Sequence, residues 1–399
     1  MIYKFDGKID ITGDMIQVLE PKTKRQQRDF MNFPTRLYKD NPCYVPPLWA
    51  DERKIFQSDY IYYETCDAVY YNAYKDGVMA GRISGILQKV SNEKTGENRV
   101  RFTRFDCIED FEVAKALFGA VEAWALSKGM DSVCGPLGFS DLEREGLLID
   151  GFDQMSTFEE QYNAPYYQDF IERLGYAKEV DWLEFRIYAP DPESDADMHR
   201  MSDFILKRYN LHFGPAKSGK DFLKKYMDGF FEILDKSYEH IYGTVPFTES
   251  MKKLLVANFN LIIDEKHACV ILDENDNVVL IGVCFPSIAK AMQLDGGHLS
   301  PRSIFKFLRD RKNPEVIDLG LIGVDPAWLN RGVSICVAAA LSDMLKNPCT
   351  KYAETNLNLE DNHAIQNLWK RFNAVQNKRR RSYLKRLDGS NIGIDGLKK

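Results

Sequence analysis

The sequence predicts an α/β (mixed α+β) protein built from two tandem copies of one unit. Three observations carry this. Two β-hairpin patterns, residues 68–87 and 268–288, correspond in order and in a glycine, Gly81 in one and Gly282 in the other. Each is followed by a strand, an amphipathic helix, a short strand and a second helix. The length, 399 residues, exceeds one ordinary core and fits two domains.

Residues 26–58 and 201–260 read as the opening helices of the two copies. The first hairpin, "AVYYNAYKDGVMAGRISGIL", joins two β-rich runs through Asp76-Gly77, a pair that tolerates the positive φ angles of a tight turn. The second, "ACVILDENDNVVLIGVCFPSI", turns at Asp276-Asn277. Strands follow at "RFTRFDCI" and "EVIDLGLIGV". In the helix after the first, Val113, Leu117, Val121 and Trp124 form one stripe. In the helix after the second, the stripe is Val333, Val337, Leu341 and Met344 or Leu345, at the same three- and four-residue spacing. Short strands come next, "SVCGPL" and "YAETNL". The units close with "APYYQDFIERLGY", ending at Gly175, and "NHAIQNLWKRFNA", ending at Asn373, both residue types suited to a left-handed cap. The acidic, Pro-containing "APDPESDADMHR" reads as a connector. The expected domains are 1–190, a linker 191–200, and 201–399.

Hydrophobic content of 44% and charged content of 28% are those of a soluble globular chain. The net charge of −6 argues against a general nucleic-acid binder, so no DNA partner is expected. The eight cysteines lack CxxC spacing and several sit in apolar runs, which points to buried thiols in a reducing compartment and to no metal site. The N-terminal "MIYKFDGKIDITGD" lacks the apolar core of a signal peptide. No stretch approaches the roughly 20 apolar residues of a membrane span. The expectation is a cytoplasmic protein with no membrane partner.

The stretch "GVDPAWLNRGVS" (323–334) reads as a strand end, a loop and a helix start. Such a junction offers unpaired backbone N–H groups and a favourable dipole to a phosphate. Gly332 lets the backbone approach without a Cβ, and Arg331 or Arg302 adds charge. The counterpart in the first copy, "DCIEDFEVA", has no glycine and carries Asp106, Glu109, Asp110 and Glu112, which repel phosphate. One anionic cofactor per chain, in the second copy, is expected.

The order of elements resembles the GNAT acyltransferase fold in tandem, each copy a mixed, mostly antiparallel sheet flanked by helices. Val324-Asp325-Pro326, Arg331 and Gly332 resemble that family's pyrophosphate loop, with Leu329 and Ser334 as departures. "NLEDNHAIQNLWKRFNA" is similar to its later Asn-containing helix, with Asn362 and Ala364 near their places. "GRISGI", "CGPLGFSD", "EGLLIDGF" and "YNAPYYQDFIERLGYAK" resemble poorly characterised bacterial proteins of two GNAT copies. The resemblance covers roughly residues 26–387.

It implies an N-acyltransferase using acetyl-CoA or another acyl-CoA, held by Asn330, Arg331, Gly332, Val333, Ser334 and Asn362. A main-chain N–H near Ile322, Gly323 or Val324 would face the thioester oxygen. An alkyl amine of pKa near 10.4 costs about 4–5 kcal/mol to deprotonate at pH 7, whereas a thiol leaves almost unaided, so a general base matters more than an acid. Candidate bases are Asp318, on the strand before the loop, Glu354, on the strand after it, and His363, at the start of the last helix. Trp369 stands where the family often has an acidic Tyr.

The long segment 135–167 carries acids and aromatics in place of a disordered composition. Glu145, Asp150, Tyr162, Asn163 and Tyr166 are its candidates for an amine acceptor, a small molecule or peptide, in a cleft between the copies. The basic run "NKRRRSYLKRL" (377–387) reads as a half-exposed terminal strand with basic residues outward. Two alternatives stand beside the acyltransferase: an aminoacyl-tRNA-dependent transferase, with the basic run on tRNA, and a non-catalytic acyl-CoA-binding or scaffold protein.

Overall fold

The computed structural model describes residues 8–11, 14–237 and 241–388. The start of the chain, residues 1–7, on which the reading of the N-terminus largely rests, lies outside them. Two compact units are present. The first comprises Met1–Asp181, Asp295–His298 and Arg379–Lys399; the second comprises Trp182–Leu294 and Leu299–Lys378.

The first unit is a twisted sheet of β1 (Lys8–Ile11), β2 (Asp14–Leu19), β3 (Cys66–Lys75), β4 (Val78–Gln88), β5 (Arg99–Cys107) and β6 (Ser132–Gly135), in that spatial order. Residues 379–386 run antiparallel to β6 and to the short β7 (Leu147–Asp150). The one parallel pair is β5 with β6. Asp76 and Gly77, at φ of 51° and 78°, make the β3–β4 turn that the pair of residue types predicts. Helix α1 (Lys24–Leu37), short α2 (Trp49–Glu52), α3 (Lys89–Thr95), α4 (Phe111–Ser127) and α5 (Tyr166–Arg173) surround the sheet. Val113, Leu117 and Val121 of α4 are fully buried, as their spacing requires. Gly175 takes the left-handed conformation after α5, at φ 89°.

In the second unit, residues 182–188 of β8 (Ala177–Tyr188) begin the sheet, followed by helix α6 (Pro192–Tyr209). The connector expected at 191–200 is therefore mostly helix. Asp191 caps it by accepting from the N–H of Glu193 and Ser194, Pro192 is at its first turn, and Glu193 and Asp195 favour its dipole. The acids and proline that read as a linker are a helix start. Strand β9 (His212–Phe213), helices α7 (Gly219–Ser237) and α8 (Glu249–Ile262), and the hairpin β10 (Ala268–Leu272) and β11 (Val278–Pro286) follow. Then come α9 (Ala289–Leu294), α10 (Pro301–Lys312), β12 (Val316–Val324), α11 (Ser334–Leu345), β13 (Tyr352–Glu354), β14 (Asn358–Leu359), α12 (His363–Trp369) and β15 (Asn373–Arg386). The order within this sheet is β8-β13-β12-β11-β10-β9, parallel only between β12 and β13. Both sheets are thus mixed and mostly antiparallel.

Asn373 opens β15 and is not a left-handed helix cap; α12 ends earlier, at Trp369. The basic outward face expected for 377–387 is reversed at two positions. Lys378 and Arg380 are completely buried, beside Glu184 and Glu160 respectively, and Arg381 is bonded to Asp181. Of the cysteines, Cys349 is exposed and Cys43 and Cys284 are half-buried; the other five are buried, and all eight are free.

Candidate functional site

In the second unit, β12 and β13 pair only through Val316–Tyr352, Ile317–Ala353 and Asp318–Glu354. Beyond that pair β13 ends, while β12 continues to Val324 with β11 on its other side alone. The sheet opens there, leaving the part-exposed Leu319, Gly320, Leu321, Ile322 and Val324 along one side of the gap.

Alternation along these strands separates an apolar from a charged face. Ile317, Ala353 and Ile187 enter the hydrophobic core with Cys336, Leu341, Leu368 and Trp369. Asp318, Glu354, Arg186 and Glu184 point the opposite way, all but Arg186 buried. Glu354 is fully engaged. One of its oxygens accepts from Lys378 Nζ and Asn377 Nδ2, each at 2.5 Å, and the other from Arg186 Nε at 3.1 Å. Lys378 also lies 3.0 Å from Glu184.

Asp318 contrasts with it. It is 2% exposed, and neither carboxylate oxygen makes a well-formed hydrogen bond among the described residues, the Ser287 hydroxyl being close enough only to favour the ionised form. Burial pushes its carboxyl up to about 7; Ser287 opposes the rise, Glu354 adds to it and Lys378 offsets part of it. A carboxyl held half-ionised near neutrality is suited to take a proton at pH 7. The two candidate carboxylates therefore differ in their surroundings: Glu354 is the counter-ion of Lys378 and Arg186, whereas Asp318 has no ion-pair partner within salt-bridge distance among the described residues.

One residue further along, the β11–β12 register slips. Cys284 pairs with Leu319 but Val283 pairs with Leu321, so Gly320 is an extra residue, a β-bulge. A Cβ on Gly320 would lie 2.4 Å from the Phe285 ring and 2.9 Å from the Val283 carbonyl, so only glycine fits. The first unit has a bulge at the matching place on β5, between the Arg82–Asp106 and Ser84–Thr103 pairs. There Arg104 stands at φ 51°, held by Glu52 at 3.2 Å and Glu143 at 3.5 Å. Where the second unit has a glycine, the first has a half-buried, ion-paired arginine.

The loop after β12 makes a single 3-10 turn, Pro326–Trp328, capped by the Asp325 side chain. Asn330 and Gly332 then adopt positive φ, 63° and 78°. The N–H groups of Gly332, Val333 and Ser334 make no hydrogen bond among the described residues; the first helical N–H to do so is that of Ile335, to the Gly332 carbonyl. Successive unpaired donors at the start of a twelve-residue helix form an anion cradle. Arg331 lies over the Trp328 ring at 4.8 Å, which fixes its side chain beside the loop. Leu329 is exposed, so it subtracts nothing from the backbone donors. In the first unit the same position is filled internally: the Asp110 side chain accepts from Glu112 N and Val113 N, and Lys75 pairs with it at 2.7 Å.

The remaining expected residues are more dispersed. Asn362 caps α12, accepting from Ile365 N at 3.2 Å. His363 is exposed at the first position of α12 and shares no hydrogen bond or ion pair with Asp318 or Glu354. Trp369 is 6% exposed and donates to Asn358 Oδ1 at 2.7 Å, a core brace. In the first unit, Asn163 bonds both main-chain groups of Leu148, Tyr166 donates to the Cys107 carbonyl, and Tyr162 packs edge-on against Tyr38. Asp150 is exposed and accepts from the Gly151 N–H. Glu145 is buried, and burial and then Asp141 push its carboxyl well above the usual range. Sequence reasoning named Asp318 but missed Arg186, Lys378 and the bulge at Gly320. A glycine inside a strand was the available signal for the bulge.

Among the described residues no group of metal-ligating side chains is present, and no helix is long and apolar enough to cross a membrane. No family model matches the chain. Protein YghO of Escherichia coli (strain K12) is 28% identical over 382 residues, covering 91% of this chain and 94% of its own. Bacterial ceramide synthase of Caulobacter vibrioides is 25% identical over 263 residues, 64% of this chain and 66% of its own. Among solved structures, a tandem GNAT protein from the clavulanic acid biosynthesis pathway matches 94% of this chain and 99% of its own, with a TM-score of 0.55 at 11% identity. A GCN5-related glucosamine N-acetyltransferase region of a fungal multidomain protein matches 96% of this chain and 40% of its own, with a TM-score of 0.53 at 12% identity. With two units of matching strand order, each bulged on the same strand, the chain has the tandem GNAT fold.

Proposed function

We propose that the second unit is an acyl-CoA-dependent N-acyltransferase. The observation that carries this is Asp318, a buried carboxyl without an ion-pair partner or a well-formed hydrogen bond, at the point where β12 and β13 part.

The cradle fits a pyrophosphate: three unpaired N–H groups, no Cβ at Gly332, and Arg331 at its edge. Acyl-CoA, when bound there, supplies a thioester carbonyl as the electrophile. Asp318 accepts the proton that an ammonium acceptor must lose; burial, with a smaller contribution from Glu354, keeps that carboxyl near its midpoint at pH 7. When the nitrogen–carbon bond formed, the carbon–sulfur bond would break, and the second proton of the nitrogen would leave with the sulfur as the thiol, a departure that needs little further acid assistance. Main-chain N–H groups near the Gly320 bulge and the end of β12 are the available donors for the carbonyl oxygen. The buried Trp369 takes no part in proton transfer.

The relative named bacterial ceramide synthase supports a long-chain amino alcohol as the acceptor, and an acyl group longer than acetyl. Lys378 and Arg380 are buried, so the basic run offers a tRNA fewer cations than its sequence suggests.

Thermal-shift titration with acetyl-CoA, palmitoyl-CoA and CoA tests the cofactor. At a ligand concentration of 100 Kd the expected stabilisation is about 2.7 kcal/mol. Gly332→Asp is a clean probe, since a Cβ there meets nothing nearer than Ile205 at 3.5 Å and Asp tolerates left-handed φ. It should abolish the shift, while neutral Gly332→Asn should weaken it less. No shift of the parent protein with any thioester would refute the proposal. Thioester binding with no thiol release on sphinganine or a panel of amines would leave a binding protein instead of an enzyme.

A further inference from the structure

We infer that helix α10 docks the protein onto the anionic surface of a phospholipid bilayer. In Leu299–Leu308, four large apolar side chains are solvent-exposed: Leu299 57%, Ile304 43%, Phe305 70% and Leu308 55%. At roughly 100° per residue, Ile304, Leu308 and Phe305 fall within one arc of the helix. The opposite side holds it to the protein. Ser303 is fully buried in a capping box with Ser300, and Lys306 pairs with Asp310. Phe213, 45% exposed, borders the same depression as Leu308 and extends the apolar patch.

Charge selects the occupant. The helix PRSIFKFLRDRK carries Arg302, Lys306, Arg309, Arg311 and Lys312 against a single acid, Asp310, in a chain whose net charge is −6. Arg302 and Arg309 flank the apolar arc on one side; on the other, Arg311 donates to the Ile263 carbonyl at 3.1 Å and ties that edge to the protein. Aromatic and aliphatic side chains on one face with arginines at its borders is the composition of a helix lying in a bilayer interface: the apolar side chains enter the acyl boundary and the guanidinium groups meet headgroup phosphates. A twelve-residue surface helix is too short to span a bilayer and carries no signal of a membrane span. The inference does not depend on the acyltransferase reading.

The test is sedimentation of the full chain with vesicles of phosphatidylcholine and phosphatidylglycerol in equal parts, and with vesicles of phosphatidylcholine alone, without any thioester. Binding to the anionic vesicles is expected, at least about tenfold tighter than to the neutral ones and weakened by 0.5 M salt. Phe305→Ser with Leu308→Ser should lower affinity at least about tenfold, and so should Arg302→Glu with Arg309→Glu. All four positions are exposed, so each double variant should melt with the parent. No binding to anionic vesicles, or variants that bind like the parent, would overturn the inference. So would a self-associated parent that Phe305→Ser with Leu308→Ser converts to monomer, because the patch would then be a protein interface.

Discussion

Asp318→Asn separates the cost of the buried carboxyl from its use. In the unfolded chain the group titrates near 3.8; in the folded chain burial holds it at about 7. A raised value means the folded state binds the proton more tightly. The associated stability is fully present below pH 4 and is lost progressively as pH rises through 7. The whole difference corresponds to up to about 4 kcal/mol. A neutral isostere never ionises, so Asp318→Asn should gain on the parent at pH 8 by a sizeable part of that amount. At pH 4 the two should differ little. Urea unfolding at the two pH values reads this directly. Under the proposed chemistry the same variant should lose about 10²–10⁴ in kcat/KM, together with the limb that rises through pH 7. Thiol release followed from pH 5.5 to 9 measures both. If the variant kept the limb, or if its stability relative to the parent were the same at pH 4 and pH 8, the assignment of Asp318 as an uncompensated buried base would fail.

Lys378→Met leaves Glu184 and Glu354 buried without their shared cation and should destabilise the protein by about 3–5 kcal/mol, read as a fall in the urea midpoint. Trp369→Phe orphans Asn358 Oδ1 and should cost about 1–3 kcal/mol in stability, yet leave the pH profile of thiol release unmoved, since no proton passes through it. Asp110→Ala removes the cap of α4, costing about 1 kcal/mol in melting experiments, without changing the thermal shift given by acyl-CoA. A lost shift would place the cofactor in the first unit.

The local features of this protein were legible in the sequence. Asp76-Gly77 specified a turn, the four-residue spacing of Val113, Leu117 and Val121 specified a buried helix face, and Gly332 before an apolar helix specified a left-handed turn into that helix. Each is a matter of neighbouring residues, whose backbone preferences and periodicity act over a few positions. Where the same local rules admitted two readings, the sequence misled. Asp191 and Pro192 serve a helix start as well as a linker, and a basic run serves a buried strand as well as an exposed one. The chemistry of the candidate site belongs to tertiary structure. Asp318 and Glu354 are the same kind of residue on adjacent strands, equally plausible as bases when read in a line. Folding brings Lys378, Asn377 and Arg186 into hydrogen bonds with Glu354, and none of them bonds to Asp318. A carboxyl's proton affinity is set by the charges and water that surround it, and here those are supplied by segments far away in the chain.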